Sequence, residues 1–322
     1  MPHFDVTGVL GALARKLHPA IALLALVAVP AAACGQPDLV DRAGPDTNDA
    51  IFAQKSENVR FLALGDFGTG ESDQKAVATQ MCAHLTQQPF AHVVSTGDNV
   101  YAKGEPEDFD TDFYVPYSCL FDEGVRFHAV LGNHDIRTLD GEAQVGEPRF
   151  GMLGRYYTWK LGPVTFIMFD SQAVDVELDS GASSADGSQY QWVLDQVAKA
   201  QDAPWTVVVF HDPVYSTGIT HASKPGWDVS VGEPLAAAGV DLVLNGHDHN
   251  YQSAEVDGVT YIVTGGGGAE LYPCDLPPQP PVTTCIQKHH FVEVEAGPDS
   301  MTVSAITETG EILETIQVTP ND

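Results

Sequence analysis

Basic residues are scarce in this sequence, which has 15 Lys and Arg against 44 Asp and Glu and a formal net charge of −29. Such a surface repels the phosphate backbone of DNA and RNA, so no nucleic-acid partner is expected. Cysteine is also rare, with five in 322 residues and no Cys-x-x-Cys spacing, which argues against cysteine as a metal ligand. Hydrophobic residues make up 43% of the chain, which argues against disorder of the whole chain.

The apolar run near the N-terminus, from Ile21 to Val29, is too short to span a bilayer as a lasting helix. Two basic residues precede it and three alanines follow it, as in an export signal. Cys34 comes next and resembles the lipid-attachment cysteine of a bacterial lipoprotein, although Ala31 stands where Leu is usual. We predict a signal segment over residues 1–34, lipidation at Cys34 as the one membrane contact, and a cell-envelope, periplasmic or secreted location. Secretion without a lipid and a single transmembrane anchor are the alternatives.

The other four cysteines are Cys82, Cys119, Cys274 and Cys285. An exported protein is in an oxidising compartment, so two disulfides are expected. Four cysteines allow three pairings. We favour Cys274–Cys285, which closes a proline-rich loop and leaves Cys82 to pair with Cys119.

The rest of the chain is predicted as a tether followed by one domain. Residues 35–57 are polar without an apolar period, which is typical of a flexible tether. From Val59 strand and helix patterns alternate, which predicts an α/β domain over residues 58–320 with parallel strand pairs and helical connections. Beyond Val259 the pattern changes to antiparallel strands.

Three further segments are predicted from their composition. Residues 109–120 are predicted as a helix that Pro116 interrupts, and residues 136–155 and 171–188 as loops rich in glycine and acidic residues. No internal repeat and no second domain boundary are visible.

Five predicted strands end in a residue that can bind a hard or borderline cation. These residues are Asp66, Asp98, Asn133, His211 and the pair His247 and His249. A single Gly-Asp at a strand end more often forms a turn or caps a helix. Since sites in open α/β sheets form at the carboxyl ends of strands, five such ends together predict a metal centre.

Five short motifs carry these residues in order along the chain. They are Gly65-Asp66-Phe67-Gly68, Gly97-Asp98-Asn99-Val100-Tyr101, Gly132-Asn133-His134-Asp135, Val209-Phe210-His211-Asp212-Pro213 and Gly246-His247-Asp248-His249. The set resembles the calcineurin-like metallophosphoesterases over about residues 59–300. Tyr101, three residues after Asp98, narrows the resemblance to purple acid phosphatases, of the small tartrate-resistant type. The resemblance implies a four-layer αββα sandwich with mixed sheets.

The resemblance also implies two metal ions bridged by the Asp98 carboxylate. The first site, which holds Fe(III), would be completed by Asp66, Tyr101 and His249. The second site, which holds Fe(II), zinc or manganese, would be completed by Asn133, His211 and His247. Phenolate and carboxylate suit Fe(III), and imidazole and amide oxygen suit a divalent ion. The alternative for Tyr101 is a tyrosine of the core or of a turn.

Two further histidines, His134 and His221, are predicted to be catalytic by the same resemblance. His134 follows a predicted metal ligand, and the matching family histidine contacts the phosphate and assists protonation of the leaving group. His221 has the spacing from His211 found in plant-like enzymes. The alternatives are a structural role for His134 and an exposed loop position for His221. For Asp212 we expect no role, although orienting the substrate is possible.

The predicted function is that of an exported dinuclear phosphatase, which hydrolyses small phosphate monoesters by attack of a metal-bound hydroxide. One alternative is a phosphodiesterase or nucleotidase of the same fold with two divalent ions and no ferric iron. An alternative of another class is a non-catalytic surface lipoprotein that binds a partner. The sequence makes no prediction of the oligomeric state.

Overall fold

The structure is a computed structural model that describes residues 58–179, 188–200, 203–275 and 277–321. The predicted signal segment over 1–34, the lipidation at Cys34 and the tether over 35–57 lie outside the described residues. Within the described ranges, no helix combines the length and the apolar character needed to cross a membrane.

Thirteen strands are present in the described part of the chain. They are β1 (Val59–Leu64), β2 (His92–Ser95), β3 (Arg126–Ala129), β4 (Tyr157–Leu161), β5 (Val164–Met168), β6 (Trp205–Val209), β7 (Leu242–Asn245), β8 (Tyr251–Val256), β9 (Val259–Thr264), β10 (Val282–Ile286), β11 (His290–Ala296), β12 (Met301–Thr307) and β13 (Ile312–Val318).

The α-helices of the same ranges are mostly short. They are α1 (Ser72–Gln87), α2 (Ser118–Asp122), α3 (Glu142–Val145), α4 (Ser171–Asp179), α5 (Gln189–Ala200) and α6 (Glu233–Ala237).

The strands form two mixed sheets. The first has six strands in the order β13-β12-β11-β1-β2-β3, in which β1, β2 and β3 are parallel and β11 runs antiparallel to β1. The second has seven strands in the order β10-β8-β9-β7-β6-β5-β4, and its inner strands β5, β6, β7 and β9 are parallel. Five of the parallel strands, β1, β2, β3, β6 and β7, are each followed within four residues by a predicted metal ligand.

The two sheets face each other across a hydrophobic core. Phe61 of β1 and Phe166 of β5 meet with ring centroids 5.0 Å apart. His84 of α1 lies 2.6 Å from the carboxylate of Glu293, which is paired in register with Leu62. Because successive residues of a strand point to opposite faces, α1 covers the outer face of the first sheet.

The outer face of the second sheet is also covered by helices. Val207 and Val209 of β6 belong to the core between the sheets. Val208 and Phe210 belong to a separate apolar cluster, which includes Val193 of α5. Helices therefore cover both sheets, and the prediction of a four-layer α/β sandwich with mixed sheets is confirmed.

Both predicted disulfides are present. Cys82 of α1 is bonded to Cys119 of α2, with Cα atoms 6.2 Å apart. Cys274 is bonded to Cys285 of β10, with Cα atoms 5.8 Å apart. The first joins two helices, and the second closes the proline-rich loop before β10.

The structure differs from the sequence prediction in two regions. Residues 109–120, predicted as a helix that Pro116 interrupts, form a π-helical segment over Asp110–Tyr114 and then α2, because Pro116 lacks the N–H that a continuous helix needs. The strand β9, predicted among antiparallel strands, is antiparallel to β8 but parallel to β7. The strands β4, β8 and β10 carry many polar residues and were not predicted.

Candidate metal centre

The two carboxylates at the ends of β1 and β2 are fully buried in a strained backbone. Asp66 and Asp98 have φ angles of 57° and 52°, and His247 has a φ of 70°. Left-handed backbone is rare for residues other than glycine and is concentrated at functional sites. The N–H of Asp66 donates to the carbonyl of Gly97 at 3.0 Å, so the two loops hold each other in place.

Glycine at position 97 allows the loops to approach closely. Its φ is 96°, and a Cβ atom there would lie 2.8 Å from Nδ1 of His211 and 2.8 Å from the backbone nitrogen of Gly132. Any larger residue would push apart three of the loops that carry the predicted ligands.

The first predicted ligand group meets around the Tyr101 hydroxyl. This oxygen lies 3.0 Å from Oδ2 of Asp98 and 3.0 Å from Nε2 of His249. It lies 3.4 Å from Oδ1 of Asp66. The carboxylate oxygens of Asp66 and Asp98 and the ring nitrogen of His249 all lie within 4.8 Å of one another. These four side chains therefore share one centre.

The second predicted ligand group meets around Nε2 of His211. This nitrogen lies 3.1 Å from Oδ1 of Asn133 and 3.2 Å from Nδ1 of His247. It also lies 3.5 Å from Oδ2 of Asp98. The same carboxylate oxygen of Asp98 thus borders both groups, which is the position that a bridging ligand requires.

Backbone carbonyls orient two of the predicted imidazole ligands. Nδ1 of His211 lies 2.9 Å from the carbonyl oxygen of Thr96, and Nδ1 of His249 lies 2.7 Å from that of Glu270. A ring N–H that donates to a carbonyl fixes the tautomer and leaves the other nitrogen as the metal ligand. The His249 ring also stacks on Tyr272 at 4.1 Å, a contact that no sequence pattern indicated.

Asp212, for which we expect no role, lies against the centre, and that expectation stays a prediction. Its buried carboxylate accepts a hydrogen bond from Oγ of Ser171 at 2.6 Å and another from Gln172. It pairs with Lys224 at 3.1 Å and lies 3.9 Å from Nε2 of His247. The sequence did not show this because residues 171–188 were predicted as a loop, whereas α4 begins at Ser171 and supplies both donors.

Asp135 is a second buried carboxylate for which sequence reasoning assigned no role. It accepts hydrogen bonds from the backbone N–H groups of Asn99, Val100 and Gly132 at 2.8 to 3.1 Å. The side-chain amide of Gln144 donates to it at 2.7 Å. One carboxylate therefore ties together the loops after β2 and β3.

The two predicted catalytic histidines border the centre. The N–H of His134 donates to Oδ1 of Asp98 at 2.8 Å, and its ring lies 4.3 Å from that of Tyr101. The His221 ring lies 4.1 Å from that of His247 and 5.2 Å from that of Tyr272. These positions allow contact with a substrate, and the catalytic roles stay predictions.

The electrostatics of the centre favour a cation. Burial raises the pKa of Asp98. Burial alone would raise the pKa of Asp66, but the hydrogen bond with His249 and the charge of His211 outweigh it and lower that pKa. Burial would lower the pKa of His211, but Asp98 and Asp66 raise it to about 9. The buried carboxylates therefore favour the binding of positive charge at the centre.

The donor set fits two cations. The first group offers carboxylate and phenol oxygens with one imidazole, and the second offers an amide oxygen with two imidazoles, joined by a shared carboxylate. Hard oxygen donors suit a trivalent ion, and imidazole suits a divalent one. We therefore assign the two groups as a candidate pair of metal sites.

Comparisons with known proteins match this chain to phosphoesterases. A family model described as Calcineurin-like phosphoesterase matches residues 59–251. Purple acid phosphatase 17 of Arabidopsis thaliana is 29% identical over 248 residues, which cover 70% of this chain and 73% of the relative. Tartrate-resistant acid phosphatase type 5 of Rattus norvegicus is 26% identical over 245 residues, which cover 66% of this chain and 73% of the relative.

Solved structures show the same fold at low sequence identity. The purple acid phosphatase PPD1 from yellow lupin (Lupinus luteus) seeds has a TM-score of 0.68 at 16% identity, covering 82% of this chain and 54% of that one. GAP50, the anchor in the inner membrane complex of Plasmodium, has a TM-score of 0.69 at 18% identity, covering 82% of this chain and 90% of that one.

Proposed function

The chain belongs to the calcineurin-like phosphoesterase family, and from this premise we propose that it is an exported acid phosphatase that hydrolyses small phosphate monoesters. Its relatives named as purple and tartrate-resistant acid phosphatases make it a purple acid phosphatase-like metallophosphoesterase. The observation that carries the narrower proposal is the Tyr101 hydroxyl, which lies 3.0 Å from both the Asp98 carboxylate and the His249 imidazole.

Tyr101 separates this proposal from the alternative with two divalent ions. A phenolate is a ligand that suits Fe(III), whereas imidazole, carboxylate and amide ligands alone suit divalent ions. We propose Fe(III) in the site of Asp66, Tyr101 and His249, and Fe(II), zinc or manganese in the site of Asn133, His211 and His247.

The fold alone does not establish catalysis, since a protein described as an anchor shares it. The convergence of seven metal-binding side chains on one buried centre supports an enzyme, because a binding module has no need of them. When bound, two cations supply the charge that neutralises phosphate oxygens and makes a water molecule more acidic. The side chains of the chain itself then orient the ester and move the proton of the leaving group.

His134 is the side chain that we propose for proton transfer to the leaving oxygen. Its Nδ1 lies 2.8 Å from the carbonyl oxygen of Ala102, which leaves Nε2 to face the centre. Nε2 lies 3.2 Å from the guanidinium of Arg137 and 4.0 Å from Oδ2 of Asp98. When a phosphate oxygen of the substrate accepts the hydrogen bond of Arg137 instead, Nε2 of His134 becomes available to carry a proton.

His134→Gln is therefore expected to slow the hydrolysis of esters with poor leaving groups more than that of esters with good ones. We expect roughly a 10²-fold loss of kcat for an alkyl phosphate and less than about a tenfold loss for 4-nitrophenyl phosphate, since only the alkoxide needs a proton as it leaves. Steady-state kinetics with both esters measure this. Equal losses for the two esters would show that His134 binds or positions the phosphate instead.

The preference for monoesters is tested by comparing the hydrolysis of two aryl phosphates. We expect kcat/KM for 4-nitrophenyl phosphate to exceed that for bis(4-nitrophenyl) phosphate by at least about tenfold. Two cations stabilise a bound dianionic monoester more strongly than a bound monoanionic diester. The reverse preference would move the assignment to a phosphodiesterase. No turnover of either ester by folded, metal-loaded protein would favour the non-catalytic alternative.

Tyr101→Phe is expected to abolish visible colour and leave the fold intact. The substitution removes the phenol oxygen and keeps the ring, so phenolate-to-Fe(III) charge transfer is lost while the packing on His134 remains. Absorption spectra of the iron-loaded proteins measure the change, with Tyr156→Phe at a half-exposed position as the control. An unchanged spectrum would remove Tyr101 from the ligand set.

Export and lipidation are part of the proposal. The two disulfides support an oxidising compartment, because such bonds are rare in a reducing cytosol. We propose cleavage before Cys34 and a lipid on its sulfur. The mass of the mature protein from a bacterial host tests this, because a lipid on Cys34 adds to the mass of the chain. A mature chain with an unmodified Cys34 would support secretion without a lipid instead.

A further inference from the structure

The His221 ring is not fixed by a hydrogen bond, unlike two of the other imidazoles at the centre. Nδ1 of His211 and Nδ1 of His249 lie 2.9 Å and 2.7 Å from backbone carbonyl oxygens. Among the residues that the structure describes, no group is hydrogen-bonded to the His221 ring, which contacts the rings of His247 at 4.1 Å and Tyr272 at 5.2 Å. The orientation of His221 beside the centre therefore depends on these neighbouring rings.

Tyr272 connects His221 to the first group of predicted ligands. The Tyr272 ring stacks on His249, with centroids 4.1 Å apart and planes that differ by 9°. It is tilted by 53° against the ring of His221. Because Nδ1 of His249 is already held by the carbonyl of Glu270 at 2.7 Å, His221 is the neighbour whose placement depends more on Tyr272.

The backbone on either side of the Tyr272 ring is held in place. The N–H of Tyr272 donates to the carbonyl of His249 at 3.0 Å. Two residues later, Cys274 forms an antiparallel bridge with Gly218 and a disulfide with Cys285 of β10. The Tyr272 ring is therefore presented from a fixed segment of chain.

The loop that carries His221 is bonded to this same segment. The N–H of Ile219 donates to the carbonyl of Pro273 at 3.4 Å. The N–H of Asp275 donates to the carbonyl of Thr217 at 3.3 Å. These bonds set the position of the backbone before His221, and the direction of its side chain is left to the ring contacts.

We propose that Tyr272 is a positioning residue, which holds the His221 ring in the orientation that contacts the phosphate ester. The inference rests on the proposed phosphatase function and on the predicted contact of His221 with the substrate. A half-buried side chain without a hydrogen bond can occupy several rotamers. Limiting these rotamers before the substrate binds raises the fraction of productive encounters.

A double-mutant cycle tests whether Tyr272 acts through His221. We expect Tyr272→Ala to lower kcat/KM for 4-nitrophenyl phosphate about tenfold in the parent chain and less than about twofold in the His221→Gln chain. Tyr272→Phe keeps the ring and should restore the rate to within about threefold of the parent. Tyr156→Ala, a matched change at a tyrosine packed on Trp192, should change the rate less than about twofold.

Two results of this cycle would overturn the proposal. Equal losses from Tyr272→Ala in both chains would show that Tyr272 acts independently of His221. A lower metal content in Tyr272→Ala than in the parent would assign Tyr272 to the support of His249 instead. If Tyr272→Ala does not fold, Tyr272→Leu replaces it with the same expected outcomes.

Chemical modification of the metal-loaded chain tests the same contact without turnover. We expect diethylpyrocarbonate to modify His221 at least about threefold faster in Tyr272→Ala than in the parent, because a ring with several rotamers exposes its nitrogens more often. Peptide mass spectrometry measures the rate at His221 alone, and an unchanged rate would contradict the proposal. If the parent hydrolyses no phosphate ester, the proposed function fails, and this rate still decides whether Tyr272 confines His221.

Discussion

Asp98→Asn is expected to lower kcat/KM for an aryl phosphate at least roughly 10³-fold and to reduce the metal content below one ion per chain. Oδ2 of Asp98 lies 3.0 Å from the Tyr101 hydroxyl and 3.5 Å from Nε2 of His211. Asparagine has the same shape, and its oxygen can still accept the hydrogen bond that the N–H of His134 donates at 2.8 Å. The variant therefore keeps the loop but loses the anionic oxygen shared by both sites.

The measurement pairs metal analysis with steady-state kinetics on protein of confirmed fold. Asp122→Asn removes an exposed carboxylate at the end of α2 and should keep the metal content and change the rate less than about twofold. Two ions per chain in Asp98→Asn, with a rate within tenfold of the parent, would contradict the bridging position.

Asp135→Ala is expected to lower the free energy of unfolding by about 3 kcal/mol or more. Its carboxylate accepts from the backbone N–H groups of Asn99, Val100 and Gly132 and from the amide of Gln144. Each buried donor left without an acceptor costs about 1–3 kcal/mol. The loops after β2 and β3 lose the group that connects them, so we also expect weaker metal binding.

Urea unfolding of the metal-free proteins measures this loss without the contribution that bound metal adds to stability. Glu123→Ala, at an exposed position just after α2, should change the free energy of unfolding by less than about 0.5 kcal/mol. A loss below about 1 kcal/mol in Asp135→Ala would show that the loops do not depend on this carboxylate.

The convergence of the predicted ligands could be anticipated from the sequence, because each motif that carries a ligand is local. Buried strands that end in Gly-Asp or Gly-His can be recognised one at a time, and parallel strands bring their carboxyl ends to one edge. The strand ends at Asp66, Asp98, His211 and His247 follow β1, β2, β6 and β7 as expected. The disulfides were also predictable, since Cys274 and Cys285 close a short loop.

The supporting residues could not be predicted, because their positions depend on packing between distant segments. Tyr272 reaches His249 because its backbone N–H donates to the carbonyl of His249 at 3.0 Å and the preceding loop is held by a hydrogen bond from Ala269 to Asp66 at 2.9 Å. Residues 136–155, predicted as loop, include α3 and turns. Polar strands such as β8 lack the apolar run that marks a buried strand.

The most direct test of the two-metal centre is the metal content of the purified protein, determined together with its visible spectrum. The account predicts two ions per chain, at least one of them iron, and a purple colour from the phenolate of Tyr101. Correctly folded protein that binds no metal, or a single ion, when supplied with iron and zinc would contradict it.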